Sequence, residues 1–163
     1  MVMSTSTDGP YSGGCQCGAV RFSVESFGRS SICHCRMCQK AFGGIGGILV
    51  TARGLTWTRG VPKVFQSSNK AERGFCDACG TPLTFAVGKS VDVAVCALDD
   101  PLVAPPIVQL APESRVAWAD DLPDLPQRPQ SEAGKAAAYY ASIISHQHPD
   151  HDTDYWPPEG KAS

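Results

Sequence analysis

The sequence predicts a mainly β, single-domain fold, with a short helix at a group of three cysteines and a second helix near the C-terminus. Three observations lead there. Short apolar stretches alternate with polar residues and are closed by glycine or proline. Only residues 36–42 and 131–145 have helical composition. Seven of the eight cysteines fall into tight groups that glycine turns or a short helix can present. A length of 163 residues suits one domain.

Residues 1–12 read as a flexible leader of Ser, Thr, Gly and Pro. Gly13-Gly14-Cys15-Gln16-Cys17-Gly18 forms a tight turn. In residues 19–27 Val20, Phe22 and Val24 alternate with Arg21, Ser23 and Glu25, as in a half-buried strand with the second set facing outward. Residues 28–31 read as a turn. Arg36 to Phe42 holds about two helical turns before Gly43-Gly44 stops them. Strands follow at 45–51, 55–58 and 63–67, with 69–74 a polar connection. Phe75-Cys76-Asp77-Ala78-Cys79-Gly80 is a second cysteine turn. Residues 82–87 and 91–98 pair as a hairpin through Gly88-Lys89-Ser90. Proline is then frequent as far as Pro129, so the chain wraps in extended form with one edge strand at 107–110, and Trp118 anchors the wrap. A helix at 131–145, capped by Ser131, carries Tyr139 and Tyr140 for packing or a dimer contact. The domain is taken as 13–129, followed by the helix and a polar tail over 130–163.

The cysteines separate by chemistry. Cys15, Cys17, Cys76 and Cys79 lie in two similar glycine-closed turns and supply four thiolates, enough to close a tetrahedron around one structural zinc. Cys33, Cys35 and Cys38 supply three and leave a position open, as catalytic zinc sites do. Two other readings stand beside this one. Cys35 and Cys38 could join Cys76 and Cys79 around a single zinc, or all seven could be free buried thiols. Arg36 and Lys40 flank the triplet and suit a substrate carboxylate, or are solvated surface charges. His34, between two ligands, points away from the metal into a structural role. Cys96 sits on a strand as a small packed residue.

Taken together, Gly-x-Cys-x-Cys-Gly-Ala-Val-x-Phe at 13–22, Cys-His-Cys-x-x-Cys-x-Lys at 33–40, Arg-Gly-Phe-Cys-x-x-Cys-Gly-Thr at 73–81 and Leu-Asp-Asp-Pro at 98–101 resemble the glutathione-dependent formaldehyde-activating enzyme and centromere protein V family. The resemblance runs from about Gly13 to Leu125 and takes in every cysteine but Cys96. It implies a zinc-bearing β-tent, with Cys15, Cys17, Cys76 and Cys79 structural and Cys33, Cys35 and Cys38 catalytic. The implied activity is a carbon–sulfur lyase reaction, joining glutathione to formaldehyde as S-hydroxymethylglutathione or reversing that step. A different small-molecule substrate, or a non-catalytic zinc scaffold, is the alternative.

Composition narrows the partners. A net charge of −2 with no basic run gives no electrostatic reason to expect nucleic acid. No apolar run approaches the ~20 residues that cross a bilayer, so membrane is not expected either. Without a signal peptide the expected location is cytoplasmic, where cysteines read as ligands more readily than as disulfides. The expected state is monomer or homodimer. His146-Gln147-His148-Pro149-Asp150-His151 matches the His-x-His-x-Asp-His signature of metallo-β-lactamase hydrolases, but no histidine follows it, and it reads as a polar tail.

Overall fold

In the computed structural model, which describes residues 9–156, an antiparallel sheet and a mixed one enclose the core. The fold is mainly β, as expected. A three-stranded sheet has the order β1 (Tyr11–Gly14), β2 (Arg21–Val24), β5 (Thr56–Arg59). The seven-stranded sheet contains β3 (Ser26–Cys33), β4 (Gly47–Arg53), β6 (Lys63–Gln66), β7 (Ala71–Phe75), β8 (Pro82–Val87), β9 (Ser90–Ala94) and β10 (Val108–Leu110). Its order is β10-β3-β4-β9-β8-β7-β6, and only the β10–β3 pair is parallel. Helix α1 (Arg36–Phe42) links β3 to β4, and α2 (Ala133–Ala141) lies near the C-terminus.

The core is built where the sheets face each other. Val20, Phe22 and Val24 come from the small sheet's side, and Val50, Leu83, Val93 and Ala94 from the large one. The alternation of residues 20–24 therefore faces as the sequence indicates. Arg21 departs from it: it is 3% exposed instead of facing water. Its guanidinium grips both oxygens of Asp99 at 2.6 and 2.7 Å and Oδ1 of Asp152 at 2.7 and 3.0 Å. A buried cation is tolerable when it is paired and hydrogen-bonded in this way.

Several sequence expectations are corrected. Residues 28–31 are not a turn but the middle of β3, which bulges between Phe27 and Ser30 against β4. The polar stretch 69–74 holds most of β7, an interior strand of the large sheet. The second hairpin strand stops at Ala94, and Val95–Ala97 form a 3-10 turn that leaves Cys96 exposed instead of packed. Trp118 is 58% exposed in a 3-10 stretch and anchors nothing. Helix α2 has no buried residue, and Ser131 does not cap it; Tyr139 and Tyr140 meet edge to face and are exposed. Of the expected leader, residues 1–8 lie outside the described residues, and Tyr11 and Ser12 belong to β1.

The expected polar tail also holds a docked segment. His148 is 7% exposed and its N–H donates to the Gln16 carbonyl at 2.8 Å. Its ring lies against Gly18, where a Cβ would come within 2.2 Å of it; Gly18 also has φ +78°, so glycine is required twice over. Arg59 donates to the Thr153 hydroxyl at 3.1 Å and completes the strap. Residues 157–163 of the tail lie outside the described residues.

Two outcomes follow. Asp99→Ala leaves Arg21 with only the exposed Asp152, so urea unfolding should show a loss of about 3 kcal/mol, typical of breaking a buried pair. Burial, then the charges of Arg21 and Arg59, hold His148 below its ordinary value of 6.5, so the native state favours the neutral ring. The strap's stability is therefore full above pH 6.5 and falls as pH drops below it. Amide exchange at His148, corrected for its intrinsic rate, should show less protection at pH 5 than at pH 7.5.

Candidate metal centres

Seven cysteines converge into two clusters, and within each the sulfurs all lie within 4.8 Å of one another. The first joins Cys15 and Cys17, from the β1–β2 turn, to Cys76 and Cys79, from the β7–β8 turn. It therefore bridges the two sheets. The turns are also tied directly, because the Gln16 N–H donates to the Thr81 hydroxyl at 3.0 Å. Cys15 lies 3.6 Å from Cys17, and Cys17 lies 3.8 Å from Cys76, sulfur to sulfur. A tetrahedral ion with metal–sulfur bonds near 2.3 Å sets its sulfurs ~3.8 Å apart. The geometry fits such an ion.

The second cluster joins Cys33, at the end of β3, to Cys35 and Cys38. Cys35 is the N-cap of α1 and its sulfur accepts from the Cys38 N–H at 3.5 Å. Gly43 closes the helix at φ +63°, where the sequence places the stop. Cys35 and Cys38 are grouped with Cys33, so the geometry does not produce the alternative set with Cys76 and Cys79. His34 turns away from the sulfurs, as expected. It is 3% exposed, its Nε2 lies 3.0 Å from Gln109 Oε1 on β10, and its N–H bonds Leu110. Gln39 braces the same corner by donating to the carbonyls of His34 and Ser114.

Arg36 and Lys40 are both exposed on α1, and Arg36 donates to Gln39 Oε1 at 3.1 Å. The cation that touches the triplet is Arg73, which sequence reading missed. It comes from β7, is 8% exposed, and donates from Nη2 to Cys38 Sγ at 3.3 Å. The Phe85 ring lies under its guanidinium at 4.8 Å. Among the described residues no carboxylate pairs with it. The signal available in sequence was the Arg-Gly-Phe-Cys context alone, which does not say that the arginine is buried.

Thiol acidity differs within each cluster. Burial pushes Cys17 up to about 12, helped by its thiol neighbours Cys15 and Cys79. Burial opposes ionisation of Cys79 too, yet the Thr81 hydroxyl at 3.1 Å and backbone donors bring it down to about 6. In the triplet, burial raises Cys35, but the Cys38 N–H and neighbouring thiols outweigh it and its value falls. Burial pushes Cys38 up to about 12, and Arg73 opposes this only in part. A guanidinium alone does not ionise Cys38. A divalent cation held by Cys33, Cys35 and Cys38 would, because coordination deprotonates a thiol. Arg73 would then have the anionic partner that a buried cation needs. Both clusters can hold metal ions, and the donor set suits a soft or borderline one.

A family described as glutathione-dependent formaldehyde-activating enzyme matches residues 10–115. The chain belongs to this family. The match spans both clusters, Arg73 and the Asp99 partner of Arg21, and ends before α2 and the strap. A comparison with curated proteins returns no match.

Metal analysis of fresh protein should find two ions per chain. A moderate chelator should take the triplet's ion first. Cys76→Ser should unfold the domain, since a closed four-thiolate site contributes on the order of 10 kcal/mol in small zinc peptides. Cys35→Ser should keep the far-ultraviolet circular dichroism of the parent and lose one ion.

Proposed function

We propose that the protein is a zinc-dependent carbon–sulfur lyase that forms or breaks S-hydroxymethylglutathione or a related thiol–aldehyde adduct. The observation that carries this is a three-sulfur cluster spatially separate from a four-sulfur one. Four thiolates satisfy a tetrahedral ion; three leave one position for a substrate. On this reading Cys15, Cys17, Cys76 and Cys79 hold a structural zinc, and Cys33, Cys35 and Cys38 hold the catalytic one. Zinc in the triplet would act as a soft Lewis acid that lowers the pKa of an entering thiol.

The chain's own residues supply the rest. Three thiolates around a dication carry a formal charge of −1, which disfavours a second anion. Arg73 offsets that charge from inside the protein. Arg36 and Lys40, exposed on the helix that bears Cys38, are the cations this reading assigns to the carboxylates of glutathione. As the adduct forms, the thiolate sulfur gives its electron pair to the carbonyl carbon. The carbon–oxygen π pair moves to oxygen, which takes a proton from solvent to become the hydroxyl; breakdown is the reverse. The proposed setting is the cytoplasm, where glutathione is available. Among the described residues no helix is long and apolar enough to cross a membrane.

The test is exchange between free glutathione plus formaldehyde and their adduct, followed by magnetisation transfer against the uncatalysed background. Wild-type protein with both sites loaded should accelerate it, and Cys35→Ser should abolish the acceleration with the fold retained. Loaded wild-type protein that leaves the background unchanged would move the assignment to a different substrate or to a zinc scaffold.

A further inference from the structure

A recess of about 250 Å³ is walled by Phe42, Phe65, Arg73, Phe75, Pro82 and Thr84 among others, and the sulfurs of the Cys33/Cys35/Cys38 cluster are not in its lining. Two of these residues connect it to the cluster. Phe42 is the last residue of the helix that carries Cys38, and its ring lies so close to Gly47 that a Cβ there would come within 2.8 Å. Arg73 reaches Cys38 Sγ with Nη2.

The other end of that guanidinium is unused. Among the described residues, Arg73 Nη1 is the one buried side-chain nitrogen or oxygen without a hydrogen-bond partner. Leaving a buried donor unpaired is destabilising, the more so when it is charged. Unsatisfied groups of this kind in folded proteins are associated with catalytic or binding roles. Here the group is held in place by the Phe85 ring on one face and by Cys38 at Nη2. It needs an acceptor, and the recess that Arg73 lines is otherwise mostly apolar.

The chemistry of the occupant follows from that pairing. Nη1 asks for an oxygen acceptor that carries or develops negative charge. Phe42, Phe65, Phe75 and Pro82 ask for an apolar body. Glutathione does not fit, since its two carboxylates and ammonium would meet a wall whose one charged residue is Arg73. Formaldehyde, with two heavy atoms, does not fill a recess of about 250 Å³.

We propose that this recess is the carbonyl subsite and takes an apolar aldehyde, aromatic or branched aliphatic, with its oxygen accepting from Arg73 Nη1 and its carbon turned toward the triplet. This rests on the lyase reading above and names its substrate class. Arg73 keeps its protons throughout, since guanidinium does not deprotonate in proteins. It stabilises the oxygen as the carbon–oxygen π pair arrives there, in the manner of an oxyanion donor. Specificity then comes from the rings: Phe65 lies on the edge strand β6 directly opposite Arg73 in the β6–β7 register, 60% exposed, at the recess mouth.

The test uses the full chain with both metal sites loaded and two stable probes, benzoate and formate, titrated by calorimetry. They share the oxyanion and differ in the ring. Benzoate should bind about tenfold tighter or more, as burial of a ring implies. Phe65→Ala, an exposed position whose loss does not threaten the fold, should remove most of that advantage and leave formate unchanged. Arg73→Lys should weaken both probes about tenfold, because a single ammonium nitrogen cannot span Cys38 and the ligand as the two Nη atoms of the planar guanidinium do. Equal affinity for the two probes, or benzoate binding indifferent to both variants, overturns the proposal. Adduct formation with benzaldehyde and with formaldehyde separates this inference from the one it rests on. Acceleration with formaldehyde but no benzoate preference sinks the recess and keeps the lyase. Benzoate binding that follows both variants, without acceleration for either aldehyde, keeps the recess and sinks the lyase.

Discussion

The four sulfurs of Cys15, Cys17, Cys76 and Cys79 are where the two sheets are held together, and the rest of the molecule is arranged around that join. Each pair lies in a turn, one from each sheet. The core between the sheets is thin: its largest fully buried side chains are Phe22, Leu83 and three valines. Burying such a side chain contributes ~1.5–3 kcal/mol, so a handful of them is a modest force against chain entropy. A metal ion held by this turn pair would supply more than any one of these contacts. Arg21 reinforces it from β2, since Asp99, its partner, follows the 3-10 turn after β9. The Gly13–Leu98 bridge closes the same seam through backbone.

With the sheets fixed, the second cluster is free to do something else. Its three sulfurs belong to the large sheet and to the helix segment that links β3 to β4, and none comes from the small sheet. Ligand exchange there does not have to loosen the join. This division suits chemistry in which a metal position opens and closes, because stability and turnover draw on different atoms.

Much of this was legible in the sequence, and the remainder was illegible for physical reasons. Glycine-closed cysteine turns are local, so both could be read directly, as could α1 with its Gly43 stop and the β8–β9 hairpin. Residues 28–31 misled because glycine and serine signal a turn, while the chain uses them to bend an eight-residue strand. Strand β7 was hidden because Ala-Glu-Arg-Gly reads as surface; its arginine is buried against Cys38 and the Phe85 ring, which come from other elements. The charges beside the triplet in sequence, Arg36 and Lys40, sit on the exposed side of a helix. The one beside it in space comes from another strand. His148 was read as tail because its partners, Gly18 and Gln16, are remote in sequence and no local pattern announces them.

The parallel pairing of β10 with β3 bears on how the chain emerges from the ribosome. Val108, Gln109 and Leu110 supply the last ladder on the side of the sheet that ends at Cys33. At about 5–20 residues per second, β10 follows β3 by several seconds. Throughout that interval β3 offers an open edge with a thiol at its tip. Such edges recruit other strands, and thiolates are the form that oxidises. Early capture of a metal ion by the triplet would protect that thiol, but only the arrival of β10 closes the edge.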